Sequence, residues 1–420
     1  MKAAVIGAGS TYTPELVAGL LAQRHRIGVE TLTLVDVDER RLGILAAFVR
    51  RMAPELDVEA TTELAEGVRG ARLVFSQFRV GGQAARETDE QLGRRWGIVG
   101  QETTGVGGLA KGLRTIPAAL AVQAAVAAHA TPDAWLVNFT NPAGMVTEAL
   151  LTHGTGDPPR VVGLCNFPWV LSERLAAGLG VTTDRIDLDY VGLNHLAWVR
   201  EVRVDEDPQL VAAREVWRAG PDAPFADELL DDLGLILNPY LQYYYETERI
   251  LAAQRETPTR ASVVAASESE LLGRYDDPST AWDPQLLAGR GGASYSVAAA
   301  GLAADLVDPH QAAPGRHVVN VLNRGALPGL PDDAVVETTC LVDPSGAVPV
   351  PTEELTGPAR GLANQVKDFE RYAIEAATTG DRRAARLALV THPLCPDAGS
   401  AGRLLDDLLA TNRAWLPGFS

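Results

Sequence analysis

Short apolar runs alternate with helical patterns along the first part of the chain. A helix signal follows the first run, with Thr13 as the predicted N-cap and Pro14 at the first helical position. A long Ala-rich helical pattern occupies residues 107–128. The apolar runs that predict strands are residues 2–6, 31–35, 72–78, 134–139 and 160–164. This alternation predicts an α/β fold built on a Rossmann-type, doubly wound parallel sheet.

The pattern changes after about residue 165. Residues 187–192 and 197–204 alternate apolar and polar positions, as antiparallel strands do, and a helical stretch follows around residues 239–253. Residues 205–223 are polar and are predicted to form a mobile loop. The chain is therefore predicted to contain two domains, a Rossmann domain over residues 1–165 and an α+β domain over residues 166–420.

Charge and composition exclude several classes of partner. The formal net charge of −17 argues against nucleic acid and anionic membranes, which require clustered Lys and Arg. The most apolar long stretch, residues 116–130, is too short to span a bilayer. Cys165, Cys340 and Cys395 are too few for a disulfide framework. Because the N-terminus also enters a strand pattern at once, a cytoplasmic protein without a membrane anchor is expected.

A glycine-containing turn lies between the first predicted strand and the first helix. Gly7 permits a tight turn, and Gly9 lets a pyrophosphate approach the backbone beside Ser10 at the helix N-terminus. Tyr12 occupies the place of the third glycine in the usual fingerprint. Asp36 ends the second strand, where a carboxylate can accept the hydroxyls of an adenine ribose. The turn predicts a dinucleotide site, and the alternative is a turn that serves only helix–strand packing.

Cys165 and His195 also follow predicted strands, at the edge where ligands bind in such sheets. A thiolate and an imidazole suit a transition metal better than magnesium or calcium. The alternative is a buried cysteine and an unrelated, hydrogen-bonded histidine. Arginines near Gly, Pro or Thr are candidates for phosphate or carboxylate binding, with a surface ion pair as the alternative for each. A cluster of tyrosines lies before the last of them, and core packing is the alternative for each tyrosine. These residues are Arg79, Arg86, Arg114 and Arg260, and Tyr240, Tyr243, Tyr244 and Tyr245.

Several motifs, in the same order along the chain, resemble glycoside hydrolase family 4. They are Gly7-Ala8-Gly9-Ser10-Thr11-Tyr12-Thr13-Pro14-Glu15-Leu16, Arg79-Val80-Gly81-Gly82, Gly100-Gln101-Glu102-Thr103-Thr104-Gly105, Asn138-Phe139-Thr140-Asn141-Pro142, Gly163-Leu164-Cys165-Asn166, Gly192-Leu193-Asn194-His195 and Asn238-Pro239-Tyr240-Leu241. The region around His392 also resembles the family's C-terminal part. The resemblance implies a fold related to lactate and malate dehydrogenases, with NAD retained in the first domain and the metal and substrate in the second.

The resemblance also implies roles for individual residues. Cys165 and His195 would bind the metal, usually manganese, Tyr240 would be the catalytic base, and Glu102 would raise the basicity of that tyrosine. The positions assigned to NAD are Gly7, Gly9, Ser10, Thr11, Asp36 and Asn138. The positions assigned to substrate are Arg86, Asn141, Asn166 and Arg260.

The residue after the metal-binding cysteine implies the branch of the family. Asn166 stands there, as in 6-phospho-β-glucosidases, whereas members acting on 6-phospho-α-glucosides have an aspartate at this position and α-galactosidase members have a histidine. The implied reaction converts a 6-phospho-β-glucoside into glucose 6-phosphate and an aglycone or sugar. It proceeds by oxidation at C3, removal of the C2 proton, elimination at C1, addition of water and re-reduction. No residue is assigned as leaving-group acid, and a homodimer or homotetramer is expected.

The implied reaction requires a basic tyrosine, and two other functions remain as alternatives. An unperturbed phenol has a pKa of about 10, so a nearby cation is expected to favour the phenolate of Tyr240. One alternative is an NAD-dependent 2-hydroxyacid dehydrogenase on the same fold, with His195 as its base. The other is a non-catalytic sensor of sugar phosphate or NAD.

Overall fold

A nine-stranded mixed sheet runs through the protein. The computed structural model describes residues 1–156, 160–220, 223–287 and 294–419. The strands of these residues are β1 Lys2–Ile6, β2 Thr31–Val35, β3 Asp57–Thr61, β4 Leu73–Ser76, β5 Trp135–Asn138, β6 Val161–Gly163, β7 Ile186–Leu193, β8 Leu196–Val204, β9 Asp207–Pro208, β10 Ile236–Leu237, β11 Gly315–Leu322, β12 Val335–Asp343 and β13 Gly346–Pro349.

The first six strands form the predicted parallel sheet, in the order β3-β2-β1-β4-β5-β6. The five strands predicted from the sequence are confirmed, with slightly shorter bounds for β4, β5 and β6. Strand β3 was not predicted, because it lies at the sheet edge and its only buried residue is Val58. The alternation that identifies a buried strand is therefore absent there.

Strands from the second half of the chain extend this sheet. β11, β12 and β13 continue it beside β6, all antiparallel to their neighbours, and Asn320 of β11 pairs with Gly163 of β6. The two predicted antiparallel strands are confirmed, since β7 and β8 pair antiparallel as a hairpin in a second sheet that includes β9 and β10. The large sheet thus crosses residue 165, and the division into domains 1–165 and 166–420 stays a prediction.

Helices cover both faces of the large sheet. Those of the described residues are α1 Thr13–Ala22, α2 Arg24–Ile27, α3 Glu39–Met52, α4 Leu64–Val68, α5 Gly82–Arg95, α6 Gly105–His129, α7 Ala143–His153, α8 Phe167–Leu179, α9 Leu210–Arg218, α10 Asp227–Leu233, α11 Gln242–Tyr245, α12 Thr247–Glu256, α13 Arg260–Asp276, α14 Ser294–Val307, α15 Gly357–Thr379, α16 Arg382–Thr391 and α17 Ala398–Thr411. Within the described ranges, no helix is both long enough and apolar enough to cross a bilayer.

Alternate residues of the central strands pack into two separate cores. Ala4 and Ile6 of β1 belong to one apolar cluster, and Ala3 and Val5 belong to the other. The period of two follows from the pleat of a strand, which points successive side chains to opposite faces. Helices from the second half of the chain complete both layers, since α14 packs on α1 and α15 packs on α6.

Two local predictions were wrong. Thr13 is the first residue of α1 rather than its N-cap, and its hydroxyl donates a hydrogen bond of 2.8 Å to the Ala8 carbonyl. Residues 210–218 of the predicted loop form helix α9, because Ala213 and Trp217 lie one turn apart and are both buried. Residues 221–222 of that loop lie outside the described residues.

A buried ion pair joins the helices behind the large sheet. Arg114 of α6 bonds both carboxylate oxygens of Asp89 of α5, and both side chains are fully buried. The same guanidinium donates to the Val80 carbonyl and to the side chain of Asn412, which follows α17. Arg114, which the sequence analysis named as a candidate anion-binding residue, therefore joins helices in the protein interior and is not free to bind a ligand.

Asp89→Ala is expected to lower the free energy of unfolding by about 3–5 kcal/mol, because it leaves Arg114 buried without its carboxylate. The double variant Asp89→Leu with Arg114→Met should recover most of this loss. Urea denaturation measures both. Asp133→Ala is the control, since Asp133 pairs with Arg72 at the surface, and it should cost less than about 1 kcal/mol. Equal losses at Asp89 and Asp133 would contradict the role given to the buried pair.

Candidate active site

The glycine turn after β1 brings three backbone segments into close contact. Gly7 has a φ of +86°, and a Cβ atom there would lie 2.7 Å from the backbone of Phe78. The Gly9 amide donates a hydrogen bond of 2.8 Å to Oδ2 of Asp36, and a Cβ on Gly9 would lie 2.9 Å from that oxygen. Both positions therefore require glycine, and they leave room at the start of α1 for a pyrophosphate to approach.

The other residues predicted to bind NAD differ in exposure. Ser10 is partly exposed, whereas Thr11 is fully buried and its carbonyl accepts from Tyr275. Asn138 is also fully buried, and its amide bridges Ser76 of β4 and Thr147 of α7. These contacts give Asn138 a bracing position below the site, and contact of Asn138 with NAD stays a prediction.

Cys165 and His195 are neighbours in space, with 3.6 Å between Sγ and Nε2. Cys165 follows β6, and His195 lies in the turn between β7 and β8 with a φ of +64°. Nδ1 of His195 lies 3.1 Å from the Thr103 hydroxyl, and that hydroxyl donates to Gln101. Because the hydroxyl has one proton, it accepts from His195 Nδ1–H, which leaves the Nε2 lone pair beside the thiol.

This pair fits a divalent transition metal. Metal–sulfur and metal–nitrogen bonds are about 2.3 and 2.1 Å long, so one ion can contact atoms that lie 3.6 Å apart. Burial lowers the pKa of His195 to about 4, which keeps the imidazole neutral as a ligand must be. No group of three His, Cys, Asp or Glu side chains with metal-binding geometry exists in the described ranges, so further ligands would come from other groups.

Tyr240 lies on the other face of the histidine. The rings of Tyr240 and His195 are stacked, with centroids 3.8 Å apart and planes 12° apart. Tyr240 belongs to a short 3-10 turn, Pro239–Leu241, in which its amide donates to the side chain of Asn238. The predicted helix over 239–253 is therefore divided into this turn, α11 and α12.

The expected effect of a cation on Tyr240 needs correction. Burial raises the pKa of its phenol, and the neighbouring groups Tyr243, Cys165 and Glu102 raise it further. Arg86 lowers this pKa, but by less than burial raises it. Burial, more than any neighbouring charge, thus raises the pKa of Tyr240, and Arg86 only partly offsets it.

Glu102 is held by three cations. It accepts hydrogen bonds from Arg79 and, at 2.6 Å, from Lys111, and it forms an ion pair of 3.3 Å with Arg86. These charges hold the pKa of Glu102 well below its usual range, despite its burial. Burial and Arg79 lower the pKa of Lys111 to about 7. The sequence analysis missed Lys111, although a lone lysine in an otherwise Gly-rich, apolar helix turn is a usable signal.

A cavity of about 350 Å³ borders these groups and brings together four of the predicted residues, Arg86, Glu102, Tyr240 and Arg260. Arg260 is exposed at the first position of α13. Asn141 and Asn166 are not among the residues that line this cavity. The side chain of Asn141 accepts a hydrogen bond from the amide of Ala143, and that of Asn166 donates one to Ser294.

The tyrosine cluster is divided between two cavities. Tyr240 and Tyr243 line the cavity that contains Arg260. Tyr244 and Tyr245 line a second, more apolar cavity that contains no predicted site residue, and the Tyr244 hydroxyl lies 3.3 Å from His392. Only half of the cluster therefore belongs to the candidate site.

Comparison with known proteins shows which protein family this chain matches. Residues 2–181 match the model for "Family 4 glycosyl hydrolase", and residues 190–395 match the model for its C-terminal domain. A curated relative from Bacillus subtilis, a probable 6-phospho-β-glucosidase, is 39% identical over 442 residues and aligns with 100% of this chain and 98% of its own.

Solved structures extend the comparison to the fold. The 6-phospho-β-glucosidase of Thermotoga maritima, solved with manganese, NAD⁺ and glucose 6-phosphate, superposes with a TM-score of 0.91 at 34% identity and covers 99% of both chains. A lactate dehydrogenase from a deep-sea metagenome superposes with a TM-score of 0.54 at 13% identity, over 90% of this chain and 98% of its own, and confirms the dehydrogenase-like fold. The chain belongs to family 4 of the glycosyl hydrolases.

Proposed function

We propose that this chain hydrolyses 6-phospho-β-glucosides to glucose 6-phosphate and an aglycone or sugar, with NAD and a divalent metal such as Mn²⁺. The observation that carries the proposal is the arrangement around His195. Its Nε2 lies 3.6 Å from Cys165 Sγ, and its ring stacks on Tyr240. The imidazole of His195 is thus both a proposed metal ligand beside the Cys165 thiol and the stacking partner of the Tyr240 phenol. A cavity that contains Arg86 and Arg260 lies next to this arrangement.

NAD and the metal would be held by separate parts of the site. The turn at Gly7 and Gly9, with Ser10 at the start of α1 and Asp36 after β2, would hold NAD, which would supply reversible hydride transfer at C3 of the sugar. Cys165 and His195 would hold the metal, which acts as a Lewis acid on the sugar oxygens. Thr103 keeps the imidazole in the tautomer that can bind a metal.

Tyr240 would remove the proton from C2 of the sugar. Its pKa is raised by burial and by the charge of Glu102, so the phenolate is a strong base once the charge of the occupied site stabilises it. Glu102 would act as an electrostatic partner, because Arg79, Arg86 and Lys111 hold its carboxylate in place.

The phosphorylated sugar would lie in the cavity that contains Arg260. Arg260 is an exposed guanidinium on the wall of that cavity, and guanidinium groups suit phosphate. Arg86 in the same cavity, and Asn141 and Asn166 beyond its lining, are the other proposed substrate contacts. The neighbour of Cys165 is Asn166, as in the 6-phospho-β branch.

The dehydrogenase and sensor alternatives explain less of this arrangement. A 2-hydroxyacid dehydrogenase needs a histidine base but no thiol beside it and no tyrosine stacked on it. A sensor needs none of the three. The proposed partner is a phosphorylated disaccharide or glucoside rather than nucleic acid or membrane. The proposed location is the cytoplasm, because Cys165, Cys340 and Cys395 are free thiols, and the proposed assembly is a homodimer or homotetramer.

Cys165→Ser and His195→Ala are each expected to abolish Mn²⁺ binding and hydrolysis of a chromogenic 6-phospho-β-glucoside, because each removes one of two metal ligands. Calorimetric titration with Mn²⁺ and an activity assay with NAD, Mn²⁺ and reductant measure this. Cys340→Ser is the matched control, a buried thiol in β12 that should leave both measurements unchanged. Full activity of either ligand variant in metal-free buffer would contradict the assignment.

Tyr240→Phe is expected to stop exchange of the C2 proton, because the phenol oxygen is the proposed base. Wild-type enzyme should release deuterium from C2-labelled substrate into water, as detected by NMR of the solvent and product. Tyr245→Phe, in the opposite cavity, should release it at the wild-type rate. Complete hydrolysis by the wild type with the C2 label retained would rule out the elimination route.

Arg260→Ala is expected to raise KM for the phosphorylated glucoside steeply, since loss of a charge-assisted phosphate contact costs about 2–5 kcal/mol. Trace activity on the unphosphorylated glucoside should stay unchanged. Arg274→Ala, at the exposed far end of the same helix, is the control. Equal losses on both substrates would indicate that Arg260 only braces its loop.

A further inference from the structure

Glu337 is a fully buried carboxylate in the middle of β12. Apolar and hydroxyl side chains surround it in sequence, from Val335 to Thr339. Its cross-strand neighbour is Asn320 of β11, which itself pairs with Gly163 at the end of β6, two residues before Cys165. The carboxylate therefore lies in the same sheet as β6, two strands away from the strand that Cys165 follows.

Hydrogen-bond donors, rather than cations, surround this carboxylate. Oε1 accepts from the amides of Asn194 at 2.8 Å and Asn320 at 3.1 Å, and Oε2 accepts from the Tyr190 hydroxyl at 3.1 Å. Burial raises the pKa of Glu337 to about 7, whereas these three donors lower it. A buried carboxylate that receives three donors is arranged to be used as an acceptor.

One branch of this network leads to the metal-binding histidine. Asn194 immediately precedes His195, whose φ of +64° is uncommon for a residue other than glycine. The bond from Asn194 Nδ2 to Glu337 fixes the residue next to this strained position. Burial raises the pKa of the Cys165 thiol, and the charge of Glu337 raises it further.

The other branch leads to the catalytic tyrosine. The Tyr190 hydroxyl, which donates to Glu337, accepts a hydrogen bond of 3.0 Å from Asn238 Nδ2. The opposite atom of that amide, Asn238 Oδ1, accepts 2.9 Å from the Tyr240 backbone amide. Tyr190 and Asn238 are buried as completely as the carboxylate is. A continuous buried chain of bonds thus runs from Glu337 to the turn that carries Tyr240.

We propose that Glu337 is a positioning residue for the reaction, one that sets the metal-binding turn through Asn194 and the Tyr240 turn through Tyr190 and Asn238. This inference rests on the proposed metal-dependent function. Outer groups that orient metal ligands contribute about 10–100-fold to metal affinity or activity. Because a single carboxylate orients both turns, it holds the proposed metal ligands and the phenol of Tyr240 at a constant position relative to one another.

Glu337→Gln tests the metal branch. The amide keeps the size of the carboxylate but removes its charge, and it replaces one of the two oxygens that accept from Asn194, Asn320 and Tyr190 with a donor. Mn²⁺ affinity of the protein without NAD or substrate, measured by the electron paramagnetic resonance signal of free Mn²⁺, is expected to fall by about 10–100-fold. Asn194→Ala should weaken binding in the same direction.

Thr339→Val is the matched control. Its hydroxyl also bonds from β12 to β7, at the Leu188 carbonyl, but lies outside the Glu337 network. This variant should unfold at a lower temperature yet bind Mn²⁺ with wild-type affinity. Wild-type affinity in folded Glu337→Gln would overturn the inference, as it would in Asn194→Ala if the glutamine variant does not fold. Failure of the wild type to bind Mn²⁺ would instead reject the proposed function.

Tyr190→Phe separates the second branch from the first. It breaks the link to Asn238 and leaves the bond from Asn194 to Glu337 in place. The expected result is an unchanged Mn²⁺ affinity and an unchanged KM, with lower kcat and slower release of deuterium from C2. Unchanged kcat would show that Glu337 does not position Tyr240, and weakened Mn²⁺ binding would show that the two branches are not separate.

Discussion

The imidazole of His195 is the contact on which the arrangement of the site depends. One nitrogen bonds Thr103, the other faces Cys165, and the ring face stacks on Tyr240. These partners come from a loop before α6, the end of β6 and the turn before α11. Burial keeps the ring neutral, so the same group can serve as a ligand and as a packing surface. Displacing any one partner would move the other two.

The large sheet is what brings these segments together. Its six parallel strands place the nucleotide turn and Cys165 at one edge, as expected for a doubly wound sheet. The antiparallel strands β11 and β12 then lay the β7–β8 hairpin against that edge, because Thr338 of β12 bonds the Tyr190 carbonyl of β7. The second half of the chain thus completes both the sheet and the site.

Two carboxylates at the site, Glu102 and Glu337, have opposite surroundings. Glu102 is neutralised by Arg79, Arg86 and Lys111, which hold its pKa low. Glu337 receives only neutral donors among its hydrogen bonds, and burial raises its pKa. An unpaired buried charge is costly unless a cation approaches it. The raised pKa of Glu337 is the consequence of this cost.

The sequence by itself determined the parallel sheet, the glycine turn, the family and four of the residues that line the cavity, Arg86, Glu102, Tyr240 and Arg260. These depend on local periodicity and on motifs that are short and ordered along the chain. Tertiary structure decided the rest. Arg114 pairs with Asp89 in the interior rather than with a ligand. Lys111 and Glu337 lie next to the site, although the sequence pattern did not indicate them. Burial raises the pKa of Tyr240 by more than the nearby cation Arg86 lowers it. Pairing, burial and pKa depend on which distant segments meet, and no local pattern along the chain contains that information.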